Sequence, residues 1–188
     1  MAYSLYKYNN FRFYFPVGFF YDEIIEAYSK YFKTKNIPFA KLTEYVNHTI
    51  KSINFPGLSD SGSPEQTSIR QKRGFTSAVH HSERLTKKTL DITFSMEEGL
   101  LNWMILFQQL SMYTKGEKET FLPDCYFEVY DSDGVVLFHA SFSQIRLLSI
   151  SDINFDQSND AISGNTFTVQ IAFNNMVIKN MLLETFTK

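Results

Sequence analysis

Residues 166–173 alternate without a break. Phe167, Val169, Ile171 and Phe173 fall on one side; Thr166, Thr168, Gln170 and Ala172 fall on the other. A period of two places side chains on opposite faces only in an extended strand, so this segment has one dry face and one wet one. Strands of that kind belong to antiparallel sheet packed on a core from one side. The pattern returns at 89–94, where Leu90, Ile92 and Phe94 oppose Asp91 and Thr93. It returns again at 11–15, with Arg12 and Tyr14 facing away from Phe11, Phe13 and Phe15. Residues 126–130 and 135–142 are two more strands, joined by the hairpin turn Asp131-Ser132-Asp133-Gly134. Residues 145–150 add another, and 51–55 form a short extended piece stopped by Pro56-Gly57. The chain carries 19 Phe, 11 Tyr and 1 Trp, residue types that favour half-buried pleated surfaces.

Two stretches read as helical. Asp22 is placed to cap a helix over 22–32, with Ile24, Ile25, Tyr28 and Phe32 on one face. A shorter helical pattern from Thr43 includes Tyr45, Val46 and Ile50, so residues 21–50 form a helical insertion. The strongest helix is expected over 97–110. Glu97 and Glu98 suit its positive end, and Leu100, Trp103, Met104, Phe107 and Leu110 form its core-facing side. The expected fold class is α+β, mainly antiparallel β: a sandwich or half-open barrel with one flanking helix. At 188 residues, one domain over 1–188 is expected.

Three segments do not read as core. Residues 57–88 begin with the loop GLSDSGSP and continue as a basic stretch with Arg70, Lys72, Arg73, Phe75, Arg84, Lys87 and Lys88. This is expected to be a long exposed arm, and loops of that length in compact domains usually have a role. The polar loop 152–165 carries Asp152, Asp156 and Asp160. Residues 176–188 are expected to be a C-terminal tail, either fraying or docked on a neighbour.

Composition narrows the chemistry. The formal net charge of −2 is unlike that of a general nucleic-acid binder. Cys125 is the single cysteine, which excludes an internal disulfide and a multi-cysteine zinc site. No residue near it in sequence orients it as a nucleophile, so a small, half-buried residue at a strand start is expected. His80 and His81 are adjacent and point opposite ways on an extended segment. Asp131 and Asp133 lack the downstream Glu of a calcium loop, and Gly57, Gly62 and Pro64 make no phosphate-binding pattern. Glu97 and Glu98 lie roughly 100° apart on a helix, a poor acid–base pair. No enzyme activity, cofactor or metal is expected. The N-terminus lacks the apolar core of a signal peptide, and the stretch 100–107 is too short to span a bilayer. A soluble, cytoplasmically made protein is expected.

Three landmarks resemble the tail-tube proteins of contractile-tailed phages. Ile53-Asn54-Phe55-Pro56-Gly57 resembles the strand that precedes their long arm. Residues 89–94 with the helix 97–110 and Trp103 resemble their strand, acidic turn and Trp-bearing helix. Residues 149–156, a polar loop and 166–173 resemble their closing hairpin. The resemblance covers roughly 9–178, carried by the order and spacing of the motifs. The insertion 21–50 departs from the simplest tube proteins and resembles versions in crAss-like and other large gut phages, some with short tails. The resemblance implies a virion structural protein of the tail. Copies would form a ring, hexameric or dodecameric, that stacks into or caps a tube for genome delivery. Tube, adaptor or collar, baseplate and terminal rings all stay open. Implied partners are the chain itself, with tail, sheath, baseplate or portal-adaptor proteins, and DNA in transit without specific binding. The arm and the loop 152–165 would make the inter-subunit contacts, and no membrane is involved. A nucleic-acid-binding module using the basic arm is the rival reading.

Overall fold

The computed structural model describes residues 10–57, 88–116, 121–153 and 166–180. In chain order the elements are β1 (Phe11–Tyr14), α1 (Asp22–Lys35), α2 (Leu42–His48), β2 (Ile50–Asn54) and β3 (Thr89–Ser95). A 3-10 turn (Glu98–Leu100) then leads into α3 (Leu101–Lys115). β4 (Cys125–Tyr130), β5 (Val136–Ser143), β6 (Arg146–Ile150), β7 (Thr166–Ala172) and β8 (Asn175–Asn180) follow. The class is α+β with antiparallel sheet dominant, as the alternation predicts. The strands form two four-stranded sheets, ordered β1-β4-β5-β8 and β2-β3-β7-β6, here called A and B.

The strands cross. Phe15, just past β1, stacks on Phe94 at one end of β3, with ring centroids 6.4 Å apart. Phe142, two strands over in sheet A, meets Phe173 at the opposite end of sheet B, 5.0 Å apart. Stepping across sheet A thus corresponds to moving along the strands of sheet B, the orthogonal form of sheet packing. Phe55, just past β2, fixes the third corner against Phe127, Phe138 and Phe142 at 5.4, 5.5 and 5.9 Å. Leu90, Ile92 and Phe94 are completely buried, as their alternation requires. Opposite Phe94 in the β3–β7 register stands Phe167, its ring stacked at 5.1 Å.

The helices depart from the sequence reading at their ends. Asp22 is the first residue of α1 and not its cap; Tyr21 holds the cap position without a side-chain hydrogen bond. α1 runs on to Lys35, where Asn36 takes a left-handed conformation with φ 53°. The helix expected from Glu97 starts at Leu101. Gly99 and Leu100 are both left-handed, with φ 73° and 59°, and break the helical path there. Residues 175–180, expected within a tail, are strand β8 on the edge of sheet A. Met176 is buried in the core.

Replacing Phe142, which touches both Phe55 and Phe173, removes the ring at the crossing of the sheets. Phe142→Ala is expected to lower unfolding stability by about 3–5 kcal/mol, read from urea titration followed by far-UV circular dichroism.

Candidate functional site

The functional candidates are surfaces, and α3 sets one of them. Its core side carries Asn102, Ile105, Leu106 and Gln109, all buried. Of the residues expected on the core side, Trp103 and Leu110 pack against the core only in part. Met104 and Phe107 are exposed, and Leu100, Trp103 and Leu110 are half-buried. The two sets share one helical spacing but differ by two residues, which turns them about 200° apart on the helix. Buried amides explain which set wins. Asn102 Nδ2 donates to the Ser95 carbonyl at 2.6 Å, and its Oδ1 accepts from the Glu97 N–H at 3.3 Å. Gln109 Nε2 donates to the Phe19 carbonyl at 2.8 Å, and its Oε1 accepts from the Tyr21 N–H at 3.1 Å. Asn102 closes the last carbonyl of β3 and the Glu97 N–H just beyond it, and Gln109 closes two backbone groups of the turn before α1. Hydrophobic periodicity is blind to such anchors.

The turned-out stripe lies beside β6. Trp103 stacks on Phe107 at 4.8 Å, and the indole N–H reaches the Ser151 carbonyl at 3.5 Å. Leu100, Trp103, Phe107, Ile150, Asp152 and Ile153 line a groove of about 450 Å³. Exposed Leu148 projects from β6 itself, where the pairing with β7 shifts register.

The outward faces of the two sheets differ in chemistry. On sheet B, Asn54, Asp91, Gln170 and Ser149 lie in one cross-strand row, and Ser52, Thr93 and Thr168 in the next. Gln170 Nε2 donates to Asp91 Oδ1 at 2.8 Å, and the Thr93 and Thr168 hydroxyls are 3.3 Å apart. The two central strands, β3 and β7, contain no Lys or Arg; the cations of this sheet, Lys51 and Arg146, sit on its edge strands. On sheet A, one row reads Arg12, Glu128, His139 and Lys179. His139 Nδ1 sits 3.2 Å from Glu128 Oε1. The Tyr130 hydroxyl donates to Glu128 Oε2 and lies 2.8 Å from that of Tyr14. The Arg12 guanidinium lies 5.6 Å from the centre of the Tyr130 ring. Partial burial pushes the Glu128 carboxyl up, but hydrogen bonds from Tyr130 and His139 outweigh it and hold it below its ordinary value. Burial first, then the bonds to Glu128 and Tyr14, raise the Tyr130 hydroxyl.

The remaining sequence candidates resolve as follows. Cys125 is completely buried, not half-buried, and burial raises its thiol well above the usual range. Among the described residues no group of three or more His, Cys, Asp or Glu is placed to hold a metal. Among them, too, no helix is long and apolar enough to cross a membrane. Asp152 borders the α3 groove. Asp156, Asp160, Arg70, Lys72, Arg73, Phe75, Arg84 and Lys87 lie outside the described residues, whereas Lys88 precedes β3 and its carbonyl accepts from the Phe173 N–H at 3.1 Å.

No family model matches the sequence, and no curated protein matches it. Among solved structures the fold is similar to a type six secretion system protein, with 10% identity, TM-score 0.46 and coverage of 70% of this chain and 68% of that one. It is similar to Hcp1 from Salmonella typhimurium, with 10% identity, TM-score 0.42 and coverage of 71% and 72%. It is also similar to a chain of the six-fold symmetrised anti-feeding prophage baseplate, with 10% identity, TM-score 0.42 and coverage of 70% and 79%. At these scores the likeness is one of outline, and no residue role passes across it.

Glu128 gives a pH signature with a definite sign. A carboxyl held below its unfolded value of about 4.3 stabilises the fold above that value, and the contribution disappears as pH falls through the folded pKa. Glu128→Gln should therefore be less stable than wild type at neutral pH. The gap between their urea midpoints should close on acidification. A gap that stays constant across the titration removes the assignment.

Gln109→Ala leaves the Phe19 carbonyl and the Tyr21 N–H without partners in the core. The expected cost is about 2–4 kcal/mol, whereas Phe107→Ser should cost under about 0.5 kcal/mol in the isolated subunit. Both are read from denaturant unfolding below the concentration of self-association.

Proposed function

We propose that this chain is a structural subunit that joins copies of itself into a closed ring of the tail-tube type. The rings stack into or cap a conduit, and the chain performs no catalysis. The observation that carries this reading is the contrast between its two outward faces. One is a wall of hydroxyl and amide groups with one carboxylate and no cation on its central strands; the other carries Arg12, Glu128, His139 and Lys179 in one row, with His139 and Glu128 in contact across the strands.

Sheet B forms the wall of the channel in this reading. Its edge strands, β2 and β6, each pair on one side only among the described residues. In a monomer such edges invite aggregation, whereas in a ring they are satisfied by the neighbour. β2 of one copy beside β6 of the next is a head-to-tail contact, and it closes when the rotation between copies divides a full turn. Register shifts at Lys51 in β2 and Leu148 in β6 sit on these two edges. Irregularities of this kind add the bend that a closing sheet needs. A wall without cations on its central strands suits passage of a polyanion. Each cation paired with a phosphate would hold the cargo in a salt-dependent manner. The virion location, DNA as cargo and a count of six or twelve subunits are the parts of the proposal drawn from the sequence resemblance.

Negative-stain micrographs of the purified chain are expected to show annuli with a central hole. Gel-shift titration at low salt should show no strong DNA binding. Thr93→Lys combined with Thr168→Lys puts two cations per subunit on the wall. Rings of this variant should retain DNA, with an affinity that falls steeply as salt rises, roughly 0.9 log units per log unit of salt for each phosphate neutralised. Monomers at all concentrations, or wild-type protein that itself binds DNA in that manner, overturn the reading in favour of a nucleic-acid-binding module.

A further inference from the structure

We infer that the groove between α3 and β6 receives residues 181–188 of the neighbouring copy. The inference rests on the ring reading and adds to it a specific occupant.

The groove is apolar on both walls. Leu100, Trp103 and Phe107 come from α3, Ile150 and Ile153 from β6 and beyond, and Asp152 is the one ionisable group of the lining. Met104 and Phe107 stay exposed on the α3 wall, with Leu148 exposed on β6. An apolar groove with exposed apolar side chains on the elements that form it marks an interaction site. In the ring the edge of β6 is taken by the neighbour's β2, so a segment entering the groove is held by its side chains against the helix wall.

The crossed sheets say where such a segment comes from. The chain passes from the end of β5 at Ser143 directly into β6 at Arg146, so that end of sheet A lies on the β6 side. Phe55 of the β2 corner instead packs on Phe127 and Phe138. Phe138 is the register partner of Asn180, the last residue of β8. β8 therefore delivers the chain on the β2 side, opposite α3 and β6. The eight residues that follow include Met181, Leu182, Leu183 and Phe186, half of the segment. Extended, they reach at most about 28 Å. The subunit's own groove lies across sheet B from the end of β8. When β2 meets the next copy's β6 at a spacing of about 4.8 Å, that copy's groove comes within reach. Three aliphatic side chains and a phenylalanine against a stacked Trp103–Phe107 pair match apolar filler to an aromatic wall.

The test uses two full-length proteins with different tags, one Phe107→Cys and one Leu183→Cys, with native Cys125 buried. After co-assembly and mild oxidation, a disulfide-linked heterodimer is expected, and the double variant should give a ladder of linked multimers. Phe107→Ala should weaken assembly roughly 30-fold, read by sedimentation, with an unchanged unfolding midpoint in the monomer. Rings in the micrographs without any cross-link overturn this inference and leave the ring reading standing. A compact, internally linked monomer from the double variant overturns it in favour of self-docking. A fall in the monomer's midpoint on Phe107→Ala assigns that ring to the core and also overturns it. Absence of both rings and heterodimer removes the two readings together.

Discussion

The surface chemistry of this subunit depends on two buried amides. Asn102 and Gln109 sit one helical repeat apart on α3 and face inward with Ile105 and Leu106. An amide buried without partners costs several times what a made hydrogen bond returns. Four of their contacts go to backbone groups outside the helix: the Ser95 carbonyl at the end of β3, the Glu97 N–H, the Phe19 carbonyl and the Tyr21 N–H. Rotating α3 to bury Trp103 and Phe107 would break all four at once. The gain would be two aromatic rings, each worth about 1.5–3 kcal/mol of burial. The penalty on four stranded groups at about 1–3 kcal/mol apiece is at least as large. The helix therefore keeps its polar anchors and shows its aromatics to the outside.

A second constraint comes from the aromatic core, which decides what lies next to what. Phe15 on Phe94, Phe142 on Phe173 and Phe55 on Phe138 pin three separate corners of the crossed sheets. Ring contacts of this size resist sliding, because interiors are close-packed and a shifted ring leaves a void. The crossing sends β8 out over the β2 side, while α3 stays with β6. The end of β8 and the α3 groove thus lie on opposite sides, the arrangement a head-to-tail assembly needs and a two-fold dimer does not.

How far the sequence disclosed this depended on the kind of signal. β3 and β7 were legible because their alternation is strict and each dry position is buried. The β4–β5 hairpin was legible from Asp131, whose carboxylate accepts from the N–H groups of Asp133 and Val135 at 2.9 and 2.8 Å. β8 was not, because an edge strand buries little; Met176 goes inward while Val177 and Ile178 remain exposed, so no alternation shows. The face of α3 was misread for a different reason. Apolar residues occupy both sides of that helix, and only long-range partners of Asn102 and Gln109, up to 90 residues away, decide between them. The break at Gly99 and Leu100 was signalled by the glycine alone.

The lack of cations on the central strands of sheet B gains weight once copies are counted. A lysine on an exposed surface is ordinary, and one cation per subunit means little for a monomer. In a ring the same residue appears once per copy at one height of the channel, so a single substitution on β3 or β7 makes a belt of charge. A cleft with low-dielectric walls focuses such a field instead of letting water screen it. The central strands hold no cation, and the one carboxylate there, Asp91, is tied to Gln170. On sheet A the same geometry is spent differently: Arg12, Glu128, His139 and Lys179 line up across four strands, and His139 meets Glu128 at 3.2 Å. Two faces of one sandwich, built on one aromatic interior, thus differ in their outward chemistry: tyrosines and both signs of charge on sheet A, hydroxyl and amide groups around Asp91 on sheet B. That difference constrains the outward chemistry of the chain and leaves the core untouched.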